Sequence, residues 1–445
     1  MPLRTRLLSF AVTVTAACLG VAVSGAVPAA AATAPDTVVS RGVPIPAFYQ
    51  PPAALPAADG ALIRSEPLPL ALSLPGINGP LPGRATRLMY KSTDSAGRPA
   101  AVTGAYLEPA AAWRGGGARP LVALAPGTMG QGDQCAASLG LEHPLLFNGL
   151  TVSVGYEDLA IYRLLAKGIA VVVTDYVGLG ATDRLHTYVN RVDGGHAVLD
   201  AVRAARSVAG ASITPESRVG LFGYSEGGGA TAAAAELQPS YAPDVTLSGT
   251  YAGAPPADLT EVTEAIDGSD LAGALGWAIN GFLQSDPDLK PIAEAHLNAA
   301  GRAALADLST MCVGDAILHY TSRRSTAWTD DGRSIGDIIR TEPALHSFLD
   351  AQRIGRLRPA GPVRVATGVN DDLVPHAQAR RLAADWCRAG AEVTYVPVVL
   401  PNLGRALLNH FAPLLTDQGA AVTWLTDRLS GRPAASTCAT LPAQP

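Results

Sequence analysis

The sequence predicts an α/β fold in which a mostly parallel β-sheet is flanked by helices. Short apolar runs rich in β-favouring residues alternate with segments of helical periodicity, which is typical of parallel βαβ units. One of these runs leads directly into Gly223-Tyr224-Ser225-Glu226-Gly227, which places a serine at a predicted strand–helix junction. The chain has 445 residues, 48% of them hydrophobic, so it is long enough for one large domain with an insertion or for two domains.

The predicted strands begin with a hairpin. Residues 85–91 and 100–107 partly alternate apolar and polar side chains on either side of the turn sequence Ser95-Ala96-Gly97-Arg98. Five further strands are predicted at residues 120–125, 169–174, 219–222, 363–367 and 392–398. Helical patterns at residues 156–167 and 195–208 separate the earlier ones, as a βαβ arrangement requires.

The pattern changes between residue 254 and about residue 360. Helical stretches at 259–266, 271–282 and 290–308 are separated by breakers and contain no strong strand signal. We expect a helical cap inserted into the sheet domain; the alternative is that this segment continues the core. The predicted organisation is a signal peptide at 1–32, a proline- and alanine-rich extended arm at 33–84, a core at 85–253 and 361–445, and the cap at 254–360.

The first 32 residues have the pattern of a secretory signal peptide. Arg4 and Arg6 precede an almost wholly apolar segment at 7–23, and Ala30-Ala31-Ala32 offers the small residues that a signal peptidase needs. We expect cleavage near Ala32 and a secreted, extracellular protein; a retained membrane anchor is the alternative. No later apolar run is long enough to span a bilayer, so we expect no transmembrane segment after cleavage.

Charge and cysteine content narrow the class of protein further. The formal net charge is −5, and cleavage would leave 31 basic against 38 acidic residues, a charge of −7. Nucleic-acid-binding proteins usually carry a basic patch, so we expect no nucleic-acid partner. Four cysteines would remain, and an even number in an exported protein predicts two disulfides. Three pairings are possible; our working hypothesis is Cys135–Cys312 and Cys387–Cys438.

The motif around Ser225 predicts a nucleophile. A serine hydroxyl attacks a carbonyl only when a base, a group that orients the base and donors for the oxyanion accompany it. Gly-x-Ser-x-Gly alone is weak evidence, because the chain has 46 glycines and any tight turn needs small residues. Here the motif follows a strand and precedes an alanine-rich helix, which is the context of the nucleophile elbow of an α/β-hydrolase.

That fold places the acid and then the histidine after the serine in the chain. Asp371 and Asp372 both follow the strand at 363–367, and we favour Asp371, which lies four residues before Pro375; Asp372 would then be solvated or cap the next helix. His410 comes from a loop after the last predicted strand, where the fold requires the base. His376, in the first turn of a predicted helix, is the alternative.

The predicted oxyanion hole combines two backbone N–H groups. One belongs to Glu226, the residue after the serine. The other comes from the glycine-containing loop at 126–132, where Thr128 and Met129 are the candidates; the alternative is that this loop only turns the chain. The mechanism is acyl transfer from an ester to serine and then to water, with no metal and no organic cofactor.

With these residues in place, the chain resembles the secretory lipase family, a group of exported α/β-hydrolases from actinobacteria and Candida-type yeasts. The resemblance covers about residues 85–429. It rests on the combination of Tyr90-Lys91-Ser92-Thr93-Asp94 with Gly97, Ala125-Pro126-Gly127-Thr128, Gln134-Cys135-Ala136-Ala137-Ser138, Asp175-Tyr176-Val177-Gly178-Leu179-Gly180, Ala197-Val198-Leu199-Asp200-Ala201-Val202-Arg203, the motif at Ser225, Gly253-Ala254-Pro255-Pro256-Ala257-Asp258-Leu259, and Asp371 to Pro375 followed by Trp386-Cys387.

The resemblance implies a triad of Ser225, Asp371 and His410, and a helical cap after the sixth strand. It further implies activity on acylglycerols or simpler esters, and a disulfide from Cys135 to Cys312. The leading hypothesis is therefore a secreted triacylglycerol lipase that acts as a monomer on lipid or other esters, with a lipid–water interface as one expected site of action.

Three other classes remain open. A short-chain esterase is the first alternative, because any cap buries an apolar face. An exported serine peptidase of the same fold is less favoured, since it would need a polar site for a peptide amino terminus that the sequence does not reveal. A non-catalytic binding protein on this scaffold is disfavoured by the complete set of triad candidates.

Overall fold

The computed structural model describes residues 37–76 and 80–445. The predicted signal peptide lies outside these residues. The strands are β1 (Val39–Ser40), β2 (Val43–Pro44), β3 (Leu62–Leu68), β4 (Gly83–Thr93), β5 (Pro99–Pro109), β6 (Leu121–Ala125), β7 (Leu145–Phe147), β8 (Val152–Val154), β9 (Ala170–Val177), β10 (Val219–Tyr224), β11 (Leu247–Gly253), β12 (Val363–Gly368) and β13 (Val393–Val398). The α-helices are α1 (Ala137–Glu142), α2 (Asp158–Ala166), α3 (Arg191–Ala205), α4 (Glu226–Tyr241), α5 (Leu259–Ile266), α6 (Ala274–Ser285), α7 (Lys290–His296), α8 (Ala299–Leu308), α9 (Val313–Tyr320), α10 (Ile335–Thr341), α11 (Pro343–Ala351), α12 (His376–Arg388) and α13 (Ala406–Leu429).

A nine-stranded sheet runs through the described part of the chain in the order β13-β12-β11-β10-β6-β9-β5-β4-β3. Neighbours from β13 to β9 are parallel, and neighbours from β9 to β3 are antiparallel. This confirms the predicted fold class. Every residue of β6, β9, β10 and β12 is buried, as expected for strands covered by helices on both faces.

Alternate side chains of the central strands pack against different helices. Val122, Leu124 and Phe222 belong to the core that includes residues of α2 and α13. Leu121 and Leu221, one residue earlier on the same strands, belong to the core that includes residues of α3 and α4. This division follows from the two-residue side-chain period of a strand, which sends successive side chains to opposite faces of the sheet.

Two strands of the nine-stranded sheet, β3 and β11, were not predicted by the local pattern. The segment at 33–84, which the sequence predicts to be an extended arm, contains β3. This strand pairs with β4 at the end of the sheet. Pro67 weakened its strand signal, and an edge strand tolerates proline because it pairs on one side only. β11 has the sequence LSGTYAG, which is poor in β-formers. A Cβ at its Gly249 would lie 2.8 Å from Cγ of Arg428, so the packing of α13 requires the small residue.

Helices α5 to α11 all lie between β11 and β12, in the segment predicted as the cap (residues 254–360, the cap segment). Their core includes fully buried Trp277, whose indole N–H donates to the carbonyl of Leu308 at 2.9 Å. The predicted helix at 290–308 is two helices, α7 and α8. Asn298 separates them, because its side chain caps α8 by accepting from the N–H of Gly301 at 2.8 Å.

Two disulfides tie distant parts of the described chain together, Cys135–Cys312 and Cys387–Cys438, with Cα atoms 5.4 and 5.5 Å apart. They are the two pairs of the working hypothesis. The first joins the loop after β6 to the start of α9 in the cap segment, and both of its cysteines are fully buried. In residues 37–76 and 80–445, the helices are too short or too polar to cross a membrane.

Candidate active site

Ser225 stands alone between the last residue of β10 and the first residue of α4. Its backbone has φ +58° and ψ −122°, a conformation that costs a non-glycine residue free energy and that marks sharp strand–helix turns. The N–H of Ser225 donates to the carbonyl of Gly253 at 2.9 Å, which fixes the turn against the end of β11. The strained turn lifts the serine side chain away from the sheet.

Glycines after the serine allow α4 to begin against neighbouring backbone. A Cβ at Gly227 would lie 2.0 Å from the carbonyl oxygen of Ala125 on β6. A Cβ at Gly228 would lie 2.0 Å from the carbonyl oxygen of Gly253 on β11. Neither backbone can move without disturbing the sheet, so these two positions require glycine for packing.

Asp371 and His410 lie together at the carboxyl end of the sheet. His410 Nδ1 is 2.7 Å from Asp371 Oδ2, and both side chains are buried. The other carboxylate oxygen of Asp371 accepts from the N–H groups of Leu373 at 3.2 Å and Val374 at 3.0 Å. A carboxylate held in this way accepts the Nδ1 proton of His410 and leaves Nε2 free of a proton.

The structure corrects the expected setting of His410. The sequence placed it on a loop, whereas it is the fifth residue of α13. Asn409 beside it accepts from the N–H of Leu403 at 2.8 Å, so the loop before the helix is tied to the residue preceding His410. A helix holds the imidazole more rigidly than a loop would.

The two alternative residues lie elsewhere. Asp372 is exposed, and its carboxylate receives a long bond of 3.4 Å from the side-chain amide of Asn409. His376 begins α12, and its Nε2 is 3.0 Å from the hydroxyl of Tyr395. Burial lowers the pKa of His376. Neither side chain forms the hydrogen bond that joins Asp371 and His410.

Ser225 and His410 line one cavity of about 550 Å³, the site cavity. Glu226 and Tyr188 also line it, and apolar side chains of α5 and α6 in the cap segment form much of the remaining wall. These are Leu259, Val262, Ile266, Ala274, Leu275, Ala278 and Phe282. A polar pair at the floor of an apolar cleft is the usual form of a small-molecule site.

The three residues predicted as oxyanion donors, Glu226, Thr128 and Met129, have different surroundings in the structure. Glu226 opens α4, where backbone N–H groups of a helix have no intrahelical partner. Thr128 lies against the site cavity, because its hydroxyl is 2.8 Å from that of Tyr188 in the cavity wall. Met129 packs its side chain in the core beside the Cys135–Cys312 disulfide, and its carbonyl accepts from Val313 at 2.8 Å. The side chain of Thr128 therefore contacts the wall of the site cavity, whereas that of Met129 packs in the core.

Buried residues from the start of α2 hold the loop that carries Thr128. The carboxylate of Glu157 accepts from the N–H of Gly127 at 2.7 Å, and the hydroxyl of Tyr156 donates to the carbonyl of Thr128 at 3.0 Å. Burial raises the pKa of Glu157 to about 7, while the Gly127 bond opposes the shift.

Two contacts at the site were not foreseen from the sequence. The hydroxyl of Tyr224 donates to the carbonyl of His410 at 2.7 Å. The side chain of Glu226 meets Nε2 of His186 at 2.9 Å. Tyr224 and Glu226 flank the serine in the motif, so their position pointed to the site, but no sequence signal identified His186 as a partner.

Comparison with known proteins assigns the chain to a family. The model of the secretory lipase family matches residues 141–437, which include Ser225, Asp371 and His410. The chain belongs to the secretory lipase family. A relative from Mycobacterium tuberculosis, named a probable inactive lipase, is 31% identical over 387 residues. The match covers 87% of this chain and 82% of that protein. Lipase A of Arthroderma benhamiae is 26% identical over 403 residues, covering 88% and 82%.

A solved structure agrees with the fold of this family member. Candida antarctica lipase A in its closed state superposes with a TM-score of 0.73 at 20% identity, covering 88% of this chain and 87% of that one. At this level of identity the match supports the α/β-hydrolase architecture, and the chemistry has to be argued from the residues of this chain.

Proposed function

We propose that this member of the secretory lipase family is a secreted carboxylic-ester hydrolase that acts through Ser225, His410 and Asp371. The observation that carries the proposal is the 2.7 Å contact of His410 Nδ1 with Asp371, in the same cavity as a serine on a strained strand–helix turn. His410 takes the proton of Ser225 as the hydroxyl attacks the ester carbonyl. The alcohol leaves, and water activated by His410 then releases the acid from the acyl-enzyme.

The oxyanion of each tetrahedral intermediate is held by the backbone N–H groups of Glu226 and Thr128. The first turn of α4 directs its N–H groups and the positive end of its dipole toward this position. The loop that carries Thr128 is fixed by Glu157 and Tyr156 before substrate arrives. Such preorganisation is the largest single contribution to acyl-transfer catalysis in many enzymes.

An apolar space in the cap segment supports a lipase rather than a short-chain esterase. A second cavity of about 690 Å³, the cap cavity, adjoins the site cavity and shares four wall residues with it, namely Thr263, Leu275, Ala278 and Phe282. Most of its wall is aliphatic or aromatic. Burial of each methylene there would contribute about 0.8 kcal/mol to acyl-chain binding. We propose a triacylglycerol or similar long-chain ester as substrate.

The residues that line the site cavity give little support to a peptidase function. Among the described residues that line the site cavity, Glu226 is the one carboxylate, and it is bonded to His186. A peptide amino terminus would therefore meet a carboxylate that already has a partner.

The proposal is tested with p-nitrophenyl butyrate, octanoate and palmitate, emulsified triolein and an aminoacyl-anilide. We expect hydrolysis of the esters with preference for the longer chains, and no anilide hydrolysis. Ser225→Ala should abolish turnover and labelling by a fluorophosphonate while leaving the melting temperature unchanged. Full activity of Ser225→Ala would refute the serine mechanism. An inactive wild type that also fails to react with fluorophosphonate would place this chain with its inactive-named relative.

A further inference from the structure

His186 and Glu226 form a buried pair beside the candidate nucleophile. His186 is 2% exposed and Glu226 is 6% exposed. His186 Nδ1 is 3.1 Å from the carbonyl of Val177, and its Nε2 is 2.9 Å from Glu226 Oε1. Neither residue has a role in the triad, although Glu226 follows Ser225 directly and lines the same cavity.

The two hydrogen bonds fix the number of protons in the pair. A carbonyl only accepts, so Nδ1 of His186 carries a proton. The contact between Nε2 and Glu226 then needs a second proton, which is either on the imidazole or on the carboxyl group. In both cases the pair has no net charge, and Glu226 is not a bare carboxylate next to Ser225.

Aromatic neighbours link this pair to the predicted oxyanion loop. The ring of His186 stacks on Tyr176 with centroids 5.7 Å apart, and the ring of Tyr188 meets it edge-on at 5.9 Å. An aromatic face favours the protonated imidazole. The hydroxyl of Tyr176 donates to the carbonyl of Pro126 at 2.6 Å, and that of Tyr188 is bonded to Thr128. His186 is thus connected to both sides of the predicted oxyanion hole.

We propose that His186 is a positioning residue that acts through Glu226, keeping the carboxyl group beside Ser225 paired and without net charge while the oxyanion forms. The inference rests on the proposed serine mechanism. An unpaired carboxylate in the first turn of α4 would repel the developing oxyanion and would oppose the helix dipole that stabilises it. The histidine therefore makes a glutamate tolerable at a position where a negative charge would slow the reaction.

Several other ionisable groups lie around the pair. Tyr156, Tyr176 and Tyr188 have pKa values raised by burial, so they stay neutral through the pH range of the assay. Burial raises the pKa of Glu157 to about 7, and His410 is bonded to Asp371. Arg191 at the start of α3 is paired with Glu236. All of these groups are present in every variant below, so they cannot produce a difference that depends on residue 186 or 226.

The test compares kcat for p-nitrophenyl octanoate against pH in the wild type, H186Q, E226Q and H186Q/E226Q. Glutamine at 186 can donate to Glu226 but cannot carry a positive charge. We expect kcat of H186Q to be about tenfold to hundredfold below wild type at about pH 8, because a carboxylate at 226 without a cationic partner would repel the oxyanion. E226Q and the double variant carry no carboxylate at 226, so replacing His186 in the E226Q background should change kcat by less than about threefold.

Rescue by E226Q separates an electrostatic role from a structural one. A packing defect at residue 186 would persist in the double variant, whereas a charge effect would disappear. H186N is a second neutral variant, and H196Q is the matched control, because His196 also bonds a backbone carbonyl, that of Thr93, but lines neither cavity. If both single variants at 186 fail to fold, the double variant still decides: a folded double variant that regains activity supports the proposal, and a folded but inactive one overturns it.

Two results would overturn the inference alone. One is a wild-type pH profile for H186Q, and the other is a double variant as impaired as H186Q. Ser225→Ala in each background distinguishes these results from failure of the proposed function. If that substitution leaves activity intact, the serine mechanism is wrong; if it abolishes activity while H186Q behaves as wild type, only the role of His186 is wrong.

Discussion

The hydroxyl of Tyr224 donates a 2.7 Å hydrogen bond to the backbone carbonyl of His410. Tyr224 is the last residue of β10, so this bond joins the strand that ends at Ser225 to the helix that carries the candidate base. Burial raises the pKa of Tyr224 well above its usual value, so the phenol remains a donor at any working pH. The bond sets the position of α13 relative to the serine turn.

Tyr224→Phe should therefore lower kcat more than it lowers stability. Loss of the hydroxyl removes about 1 kcal/mol of folding free energy, whereas a small shift of His410 relative to Ser225 would lower kcat by about tenfold. The measurements are urea unfolding and kcat for p-nitrophenyl octanoate. Tyr395→Phe is the control, because Tyr395 also donates to a backbone carbonyl, that of Pro445, but is bonded to His376 away from the site cavity. Equal activity of the two variants would contradict the proposed role of Tyr224.

The adjacent aspartates give a second prediction. Asp371→Asn should lower kcat by about 10⁴-fold, since an amide can donate to His410 and then favours the wrong tautomer. Asp372→Asn should leave kcat within about twofold, because Asp372 is exposed and loses only a long contact with Asn409. Steady-state kinetics of the two variants decides between them. The reverse pattern would mean that the acid was assigned to the wrong residue.

The sequence predicted those parts of the fold that have a recognisable local pattern of residues. The predicted runs at 120–125, 169–174, 219–222, 363–367 and 392–398 correspond to β6, β9, β10, β12 and β13. The first four of these strands are buried on both faces, and such strands are almost continuously apolar. Chain order in the fold led to Asp371 and His410, and the structure brings these two side chains together. The strand assignments used residues within a few positions of one another, whereas the acid and the histidine were assigned from their order in the chain after Ser225.

Features that depend on distant pairing were not predictable. β3 and β11 lack a strand pattern because one is an edge strand with a proline and the other needs small residues under α13. The pairing of His186 with Glu226 spans 40 positions and has no spacing rule. The helix that carries His410 contains Pro413, and proline is unfavourable in a helix interior, so the local sequence gives only a weak helix signal there.

Glu157 gives a prediction about stability and pH. Its pKa is raised from 4.5 to about 7 in the folded protein by burial, so the folded state binds the proton more tightly than the unfolded chain. The free energy of unfolding should therefore fall as pH rises from about 4.5 to about 7, by up to about 3 kcal/mol from this group, and then level off.

Glu157→Gln removes this titration and keeps an oxygen that can accept from Gly127. The free energy of unfolding of the variant, measured by urea denaturation at about pH 5 and pH 8, should change less with pH than that of the wild type. Asp133 and Asp158 also have raised pKa values, but they are present in both proteins and cancel in the comparison. Identical pH dependence in the two proteins would show that Glu157 does not titrate in this range.

Ala278 allows the proposed path of the acyl chain to be tested. It lies on α6 and lines both the site cavity and the cap cavity, so Ala278→Phe should narrow the space where they adjoin. Hydrolysis of p-nitrophenyl butyrate should change little, because a short acyl group stays near Ser225. Loss of burial for four methylenes would cost about 3 kcal/mol, so kcat/KM for the palmitate ester should fall about hundredfold.

Ala293 provides the matched control for Ala278. It lines the cap cavity but is absent from the wall of the site cavity, so Ala293→Phe fills only the distal space. This variant should retain activity on the octanoate ester and lose activity on the palmitate ester, whereas Ala278→Phe should lose part of both. A uniform loss on butyrate, octanoate and palmitate in Ala278→Phe would indicate a displaced α6 instead of a blocked path. An unchanged chain-length profile in both variants would mean that the bound acyl chain extends from Ser225 along a path outside the cap cavity.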